Sequence, residues 1–249
     1  MIPSLLGHTV LVTGSSQGIG HGIASGAAEA GAQVICHGKD QPLQPLPAGA
    51  TFLLEDLVAS GGPQRLVDRA FNQHPNLDLL VCNAGSFFDV PFLDMTGEIW
   101  DRTMNLNVRA AYFLIQEFAR RMVALARPGA IVTVCSTNGF QPEENSTAYD
   151  CSKGAVVMMT RTLAQALAPY RIRVNGIAPG LIKTPLNSWI DQDVGKARHY
   201  EKKIFQGRIG TPADCAGPAV FLLSPASGYV TGQVLIVDGG LSVGQIGRL

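Results

Sequence analysis

The sequence predicts a doubly wound α/β fold, a seven-stranded parallel sheet with helices on both faces. Short apolar runs alternate with segments of helical period along the whole chain, the rhythm of βαβ units. The runs are apolar nearly throughout instead of at every second residue, as strands are when both faces of a sheet are covered. No linker, repeat or low-complexity tract breaks the pattern over 249 residues, so residues 1–249 read as one domain.

Thr9-Val10-Leu11-Val12 is the first strand, and it stops at a glycine cluster. Residues 18–31 read as a helix, with Ile19, Ile23, Ala27 and Ala30 at helical spacing and Gly31 closing it. Gln33 to His37 and Thr51 to Leu54 are the next strands. Between them, residues 38–50 carry Pro42, Pro45 and Pro47, which predicts an extended crossover in place of a helix. Arg65 to Phe71 is helical, and Leu77 to Cys82 is a strand ending at Asn83-Ala84-Gly85. A long helix is expected from Trp100 to Ala126, then a strand from Ala130 to Cys135. Tyr149 to Ala168 is helical and ends at Pro169. Ile172 to Val174 is a strand. Residues 181–207 read as a polar, loop-like excursion at the strand ends, where a substrate lid sits in such folds. A helix over 212–223 opens on Pro212, and Val234 to Val237 is the last strand, before Asp238-Gly239-Gly240.

Composition narrows the function. Lys plus Arg (19) equals Asp plus Glu (19), against a nucleic-acid partner or a polybasic membrane binder. Charged residues are 15%, below the roughly 25% that is usual, and a weakly charged, neutral surface favours self-association. The start, from Met1 to His8, lacks the basic and apolar stretches of a leader, and no apolar run is long enough to span a membrane. A cytoplasmic location is the expectation. Cys36, Cys82, Cys135, Cys151 and Cys215 form no ligand-spaced pair and read as inert buried thiols, with no metal site.

Two motifs carry chemistry. Thr13-Gly14-Ser15-Ser16-Gln17-Gly18-Ile19-Gly20 lies between the first strand and the first helix. Glycines there let backbone approach a pyrophosphate, and the helix N-terminus offers free N–H groups and a positive dipole end. The spacing is G-x-x-x-G-x-G, and it gains meaning from its place in the first βαβ unit. Tyr149 and Lys153 are four apart on a helix, so they share a face. A tyrosine, with pKa near 10, is a weak base alone, and a neighbouring ammonium lowers that value. In isolation the pair reads as an ordinary aromatic–lysine pair on a helix surface.

With Asn107, Ser136, Asp56-Leu57, Asn83-Ala84-Gly85, Arg173-Val174-Asn175, Pro179-Gly180, Thr184 and the terminal Asp238-Gly239-Gly240, the order and spacing become specific. Over nearly the whole chain the sequence resembles the short-chain dehydrogenase/reductase family, with its Rossmann-type sheet. The resemblance implies that Tyr149 is the general acid/base and that Lys153 depresses its pKa and bonds the nicotinamide ribose. Ser136 would hold the substrate oxygen, and Asn107 a water linking Lys153 to solvent. Gly14, Ser16, Gln17, Gly18, Ile19 and Gly20 would hold the cofactor phosphates. Asp56 and Leu57 would contact adenine, and Asn83, Ala84 and Gly85 the ribose side. Pro179, Gly180, Ile182 and Thr184 would embrace the nicotinamide. Cys82 stands where the family usually has Asn.

At the end of the second strand the carboxylate that selects NAD is replaced by Gly38, with Lys39 beside it. This favours NADP(H) and leaves NAD(H) as the alternative. Gln17, where many NADP-dependent relatives carry a cation, and Asp40, which could neutralise Lys39, weigh against it. His37 reads as a packing or strand-capping residue. The open proline-rich crossover predicts weak cofactor binding or cover from a neighbouring subunit. The lid, about 184–207, offers Asn187, Trp189, Gln192 and His199, and the loop before Tyr149 offers Glu143, Glu144 and Asn145. This polar rim suits a sugar or polyol, a small-molecule alcohol or carbonyl. The expected reaction is hydride transfer between NADP(H) and a secondary alcohol or ketone. The alternatives are an NAD-dependent 3-oxoacyl or other small-carbonyl reductase, and a catalytically silent NADP-binding sensor. The resemblance implies a homotetramer, with a homodimer as the lesser form, and the apolar segment Leu241 to Leu249 is a candidate docking element.

Overall fold

A computed structural model describes residues 3–42 and 44–244. Its strands are β1 (Thr9–Val12), β2 (Gln33–Gly38), β3 (Thr51–Leu54), β4 (Leu77–Cys82), β5 (Gly129–Val134), β6 (Ile172–Pro179) and β7 (Val234–Val237). All pair in parallel in the order β3-β2-β1-β4-β5-β6-β7. The order reverses between β1 and β4. That reversal opens a crevice at the strands' carboxyl ends, where ligands bind in such sheets.

Alternation along each strand sends side chains to two separate cores. Val10 and Val12 of β1, with Val34, Cys36, Val81 and Val132, pack under α1 (Gly18–Glu29) and the late helix Pro212–Leu223. Leu11, with Ile35, Leu80 and Ile131, packs on the other face under α2 (Gly62–Gln73) and the long helices that follow. Each fully buried Leu or Ile side chain contributes about 1.5–3 kcal/mol.

Four features depart from expectation. The helix expected over Trp100 to Ala126 is α3 (Gly97–Met104) and α4 (Ala111–Ala124), joined by a π-helical turn at Asn105–Ala110. Such turns insert one residue into the helical ladder and re-aim the side chains around it. β6 has eight residues, not three. Its extension holds Asn175 and Gly176, weak strand formers, which tertiary contacts override. Buried Asn175 is satisfied by the Val230 carbonyl and the Gln233 amide, and a Cβ on Gly176 would lie 2.8 Å from Thr133 Oγ1.

Residues 181–207 are not loop-like throughout. They hold α6 (Trp189–Gln192) and α7 (Val194–Lys203), the latter capped by Asp193. Only Ile190, Ala197 and Ile204 of this stretch are buried beyond Ile182, too thin an apolar stripe to read as helix. Last, Cys151 is exposed whereas the other four cysteines are buried. It lies on the outer side of α5 (Thr147–Leu167), the helix that precedes β6.

Among its described residues the proline-rich crossover forms no helix, as expected, and it is tied down. His21 bonds the Pro45 carbonyl, Gln33 donates to the Gly49 carbonyl, and Leu46 packs on the α1 side of the sheet. The tail from 245 to 249 lies outside the described residues.

Candidate active site

The turn between β1 and α1 is built from close backbone contacts. Gly14 and Gly18 take φ of +62° and +60°, a region open to glycine. A Cβ on Gly20 would sit 2.3 Å from the Gly14 carbonyl oxygen. Asn83 Nδ2 donates to the carbonyls of Thr13 and Gly14 at 2.9 Å each, and Thr13 Oγ1 accepts from the amides of Asn83 and Ala84. Asn83 and Ala84 thus fasten β4 to the turn.

No side chain caps the first turn of α1, and Gln17 Oε1, at its N-cap, is buried without a partner. Free helix N–H groups, a floor without side chains and an orphaned polar atom fit a dinucleotide pyrophosphate. Ser16 and half-buried Ile19 flank this cradle.

His37 has a larger part than packing. Its Nδ1 accepts from the Gly14 amide at 3.2 Å, and its Nε2 donates to the Glu55 carbonyl at 3.0 Å. Its backbone exchanges hydrogen bonds with Ser15. Burial pushes the imidazole down to about 4, with the bond to Glu55 opposing. The neutral ring therefore locks the glycine turn to β3.

At Gly38 a Cβ would lie 2.8 Å from the Asp40 carbonyl and 3.2 Å from Ser16 Cβ, so no carboxylate fits there. Lys39 pairs at 3.2 Å with Asp56, not with Asp40. Asp56 is held below its ordinary value by the Val58 amide first, with Lys39 assisting. Leu57, beside it, is buried in the core.

The far wall is β6 and the segment after it. A Cβ on Gly180, which follows Pro179, would meet Asp238 Cβ at 2.6 Å. Ile182 is buried and bridges to Gly210. Thr184 overhangs the glycine turn, 3.6 Å from the Cβ position of Gly18.

Ser136, Tyr149, Lys153 and Asn107 converge at the carboxyl end of β5. Ser136 follows β5, and Tyr149 and Lys153 lie one turn apart on α5. Asn107 comes from the π-helical turn, its amide bridging both backbone groups of Ser86 and donating to Ser152 Oγ, which donates to the Tyr149 carbonyl. Gly85 ties this group to the cofactor side: a Cβ there would lie 3.0 Å from Asn107 Oδ1 and 3.7 Å from Lys153 Nζ.

The expected sign at Tyr149 is reversed. Burial raises its phenol to about 12, the Ser136 hydroxyl pulls it part of the way back, and Glu143, Asp89 and Asp150 push it further up. The Lys153 ammonium sits 5.5 Å from the ring centre and donates to the Val134 carbonyl at 3.0 Å. It is turned toward backbone, so desolvation wins over its field.

A family model described as enoyl-(acyl carrier protein) reductase matches residues 14–242. The chain belongs to the short-chain dehydrogenase/reductase family. It is 38% identical to L-rhamnose 1-dehydrogenase (NAD(P)(+)) of Azotobacter vinelandii, over 96% of this chain and 98% of that one. It is 35% identical to the 3-oxoacyl-(acyl-carrier-protein) reductase of Chlamydia pneumoniae, over 96% and 98%. Among solved structures, gluconate 5-dehydrogenase of Burkholderia cenocepacia, in complex with NADP and tartrate, aligns with a TM-score of 0.90 at 30% identity, covering 98% of each chain.

Several residues around this family site escape motif reading. Asn138 accepts from Ser136 Oγ and donates to Glu143 and Asp150. Phe87 meets Tyr149 edge-on, ring centres 5.9 Å apart. Ser152 relays Asn107 to the Tyr149 turn. Asn138 and Ser152 had a signal, each a short polar residue close to a motif residue. Phe87 had none. Arg173, part of the motif set, serves the fold: it donates to the Leu222, Leu223, Ser224 and Val230 carbonyls, closing the end of the helix before β7.

Proposed function

We propose that this chain is an NADP(H)-linked oxidoreductase that interconverts a secondary alcohol and a carbonyl on a sugar or polyol. The observation that carries the reading is the convergence of Ser136, Tyr149 and Lys153 beside a glycine turn whose free N–H groups suit a pyrophosphate. The nicotinamide, when bound, supplies or accepts the hydride.

The protein's part is orientation and proton transfer. Burial raises the phenol to about 12 in the chain alone, so Tyr149 serves as the acid toward a carbonyl oxygen, and in the oxidative direction it takes the proton from the alcohol as the phenolate, a form that rising pH favours. Ser136 donates a hydrogen bond to the same oxygen. Lys153, whose amine burial holds below its ordinary value, stands beside the phenol, placed to bond the nicotinamide ribose. Asn107 holds the Tyr149 turn through Ser152. Gly14, Ser16, Gln17, Gly18, Ile19 and Gly20 would hold the phosphates, with Asn83, Ala84 and Gly85 on the ribose side and Pro179, Gly180, Ile182 and Thr184 around the nicotinamide.

A filled β2 end at Gly38, with Lys39 at its edge, favours the 2′-phosphate. The Lys39–Asp56 pair must open or share the cation for this, which makes Asp56 a modulator of NADP preference as well as an adenine contact. NAD(H) is the weaker alternative.

Relatives act by name on L-rhamnose, on gluconate and on a 3-oxoacyl-(acyl-carrier-protein), so the substrate class is argued from this chain. An acyl-carrier partner needs a basic landing surface. Arg208 is held by Asp214 at 2.6 Å and Lys183 by Asp191 at 2.5 Å, which leaves the exposed Lys202 and Lys203, next to Glu201, as too small a basic patch. The sugar reading is favoured. A silent sensor would need a broken catalytic set, and this one is whole.

We read the chain as one domain with 184–207 as its lid and place it in the cytoplasm. Among the described residues no helix is long and apolar enough to cross a membrane. A panel of aldoses, polyols and ketones with NADP⁺ and NADPH, and with NAD⁺ and NADH as controls, tests the reading. NADP⁺-linked oxidation of a sugar or polyol is expected. Turnover confined to acyl thioesters, or none, overturns it.

A further inference from the structure

Resting on the sugar or polyol reading, we infer that the substrate is electrically neutral: Asp89, Glu143 and Asp150 act as a charge filter that admits uncharged polyhydroxy compounds and turns away sugar acids. The three carboxylates come from three segments, the loop after β4, the loop after β5 and the first turn of α5. They are held in place. Asn138 Nδ2 donates to Glu143 at 3.0 Å and to Asp150 at 2.8 Å, the Glu143 amide donates to Asp150 at 3.0 Å, and Ser146 Oγ donates to Asp89 at 2.8 Å. Asn138 also bonds Ser136, so the acidic ring is one hydrogen-bonded residue away from the hydroxyl that holds the reacting oxygen.

The field of the ring reaches the reacting centre. After burial, Glu143, Asp89 and Asp150 each raise the Tyr149 phenol, and Glu143 and Asp150 raise Asp89. Glu143 also reaches Tyr200 on α7, the helix of the lid. With the Asn138 link to Ser136, this sets the charge of the ring beside the reacting centre.

Three cations on the flanking elements are oriented by other contacts. Arg102 stacks on Phe88 at 3.9 Å, Lys196 stacks on Trp189 at 4.4 Å, and Lys153 donates to a backbone carbonyl. Lys203 reaches the Tyr200 ring only at 5.9 Å. An incoming carboxylate meets three like charges fixed beside Ser136, set against Lys153 and the exposed α7 lysines Lys202 and Lys203. Repulsion between charges several ångströms apart at an effective dielectric near 20 is worth about tenfold or more in binding. Sugar hydroxyls, by contrast, donate to carboxylates in charge-assisted bonds.

The test is kcat/KM for two matched pairs at low and high salt. One is an aldose and its aldonate with NADP⁺, the other a 3-oxo ester and its free 3-oxo acid with NADPH. Wild type is expected to prefer the neutral member by about tenfold or more at low salt, with the preference shrinking as salt screens the ring. Glu143→Gln and Asp89→Asn keep the hydrogen-bond acceptors, and each is expected to raise kcat/KM for the anion and lower the preference several-fold. A wild type that takes the anion equally well or better, or a preference that neither variant moves, overturns the filter. If only the 3-oxo pair turns over, the sugar reading fails while the ester-to-acid ratio still decides the filter. Turnover of neither pair overturns both.

Discussion

Burial, more than neighbouring charge, sets the protonation of the residues that organise this site. Tyr149 is raised and His37 lowered for the same reason, loss of water around the charged form. For His37 the consequence is a stability change with pH. Above about pH 6.5 neither folded nor unfolded chain carries the proton, and the residue adds no slope. Between about 6.5 and 4 only the unfolded chain binds it, so stability falls by up to roughly 3 kcal/mol as pH drops. Urea midpoints measured across that range should fall in wild type more steeply than in His37→Asn; parallel slopes would remove His37 from the account. Tyr149, Lys153, Ser136 and the glycines are legible in the sequence because their chemistry fixes spacing within one element or one turn. His37, Asn138 and Phe87 are not, because their roles depend on partners brought in by other strands and loops. The sign of the Tyr149 shift is not legible for a related reason: spacing shows that Lys153 is near, but neither how deeply the phenol is buried nor that the ammonium turns toward Val134.

Among elements, the β1–α1 unit was legible in its strand, turn and helix start, which announce themselves locally, while the helix ends at Glu29, two residues short of Gly31. Gly20→Ala puts a Cβ into the Gly14 carbonyl. It is expected to weaken NADPH binding by about tenfold or more while the chain stays folded; unchanged binding in a fluorescence titration would contradict the cradle. The end of β6 and the π-helical turn were hidden, because a buried Asn and Gly, and a one-residue insertion in a helix, carry no period of their own. Helices α6 and α7 were hidden because so few of their side chains reach a core. The helix Pro212–Leu223, α8, is closed by Arg173, which is half-buried among carbonyls. Arg173→Met strips those charge-assisted bonds and is expected to cost about 3 kcal/mol of unfolding free energy, with NADPH affinity unchanged because the contacts lie away from the cradle. A loss under about 0.5 kcal/mol would mean solvent satisfies those carbonyls instead.

At the level of the whole molecule, the neutral balance of charge and the exposed apolar side chains point to self-association. Tyr112 and Phe113 on α4, Met158 on α5, and Leu235 and Ile236 on β7 are all exposed. They lie on the two long helices and the last strand, where the family resemblance places its interfaces. We propose a homotetramer; light scattering behind size exclusion should give four times 26.4 kDa, and a monomer would contradict it. The central claim is that this fold delivers one phenol to the oxygen that gains or loses hydrogen while a dinucleotide lies in the glycine turn. Tyr149→Phe, assayed for turnover of the best substrate and for NADPH binding on the same preparation, reads that claim most directly. Turnover is expected to fall by at least ~10²-fold with NADPH affinity kept. Turnover near wild type, with the cofactor bound as before, would contradict it.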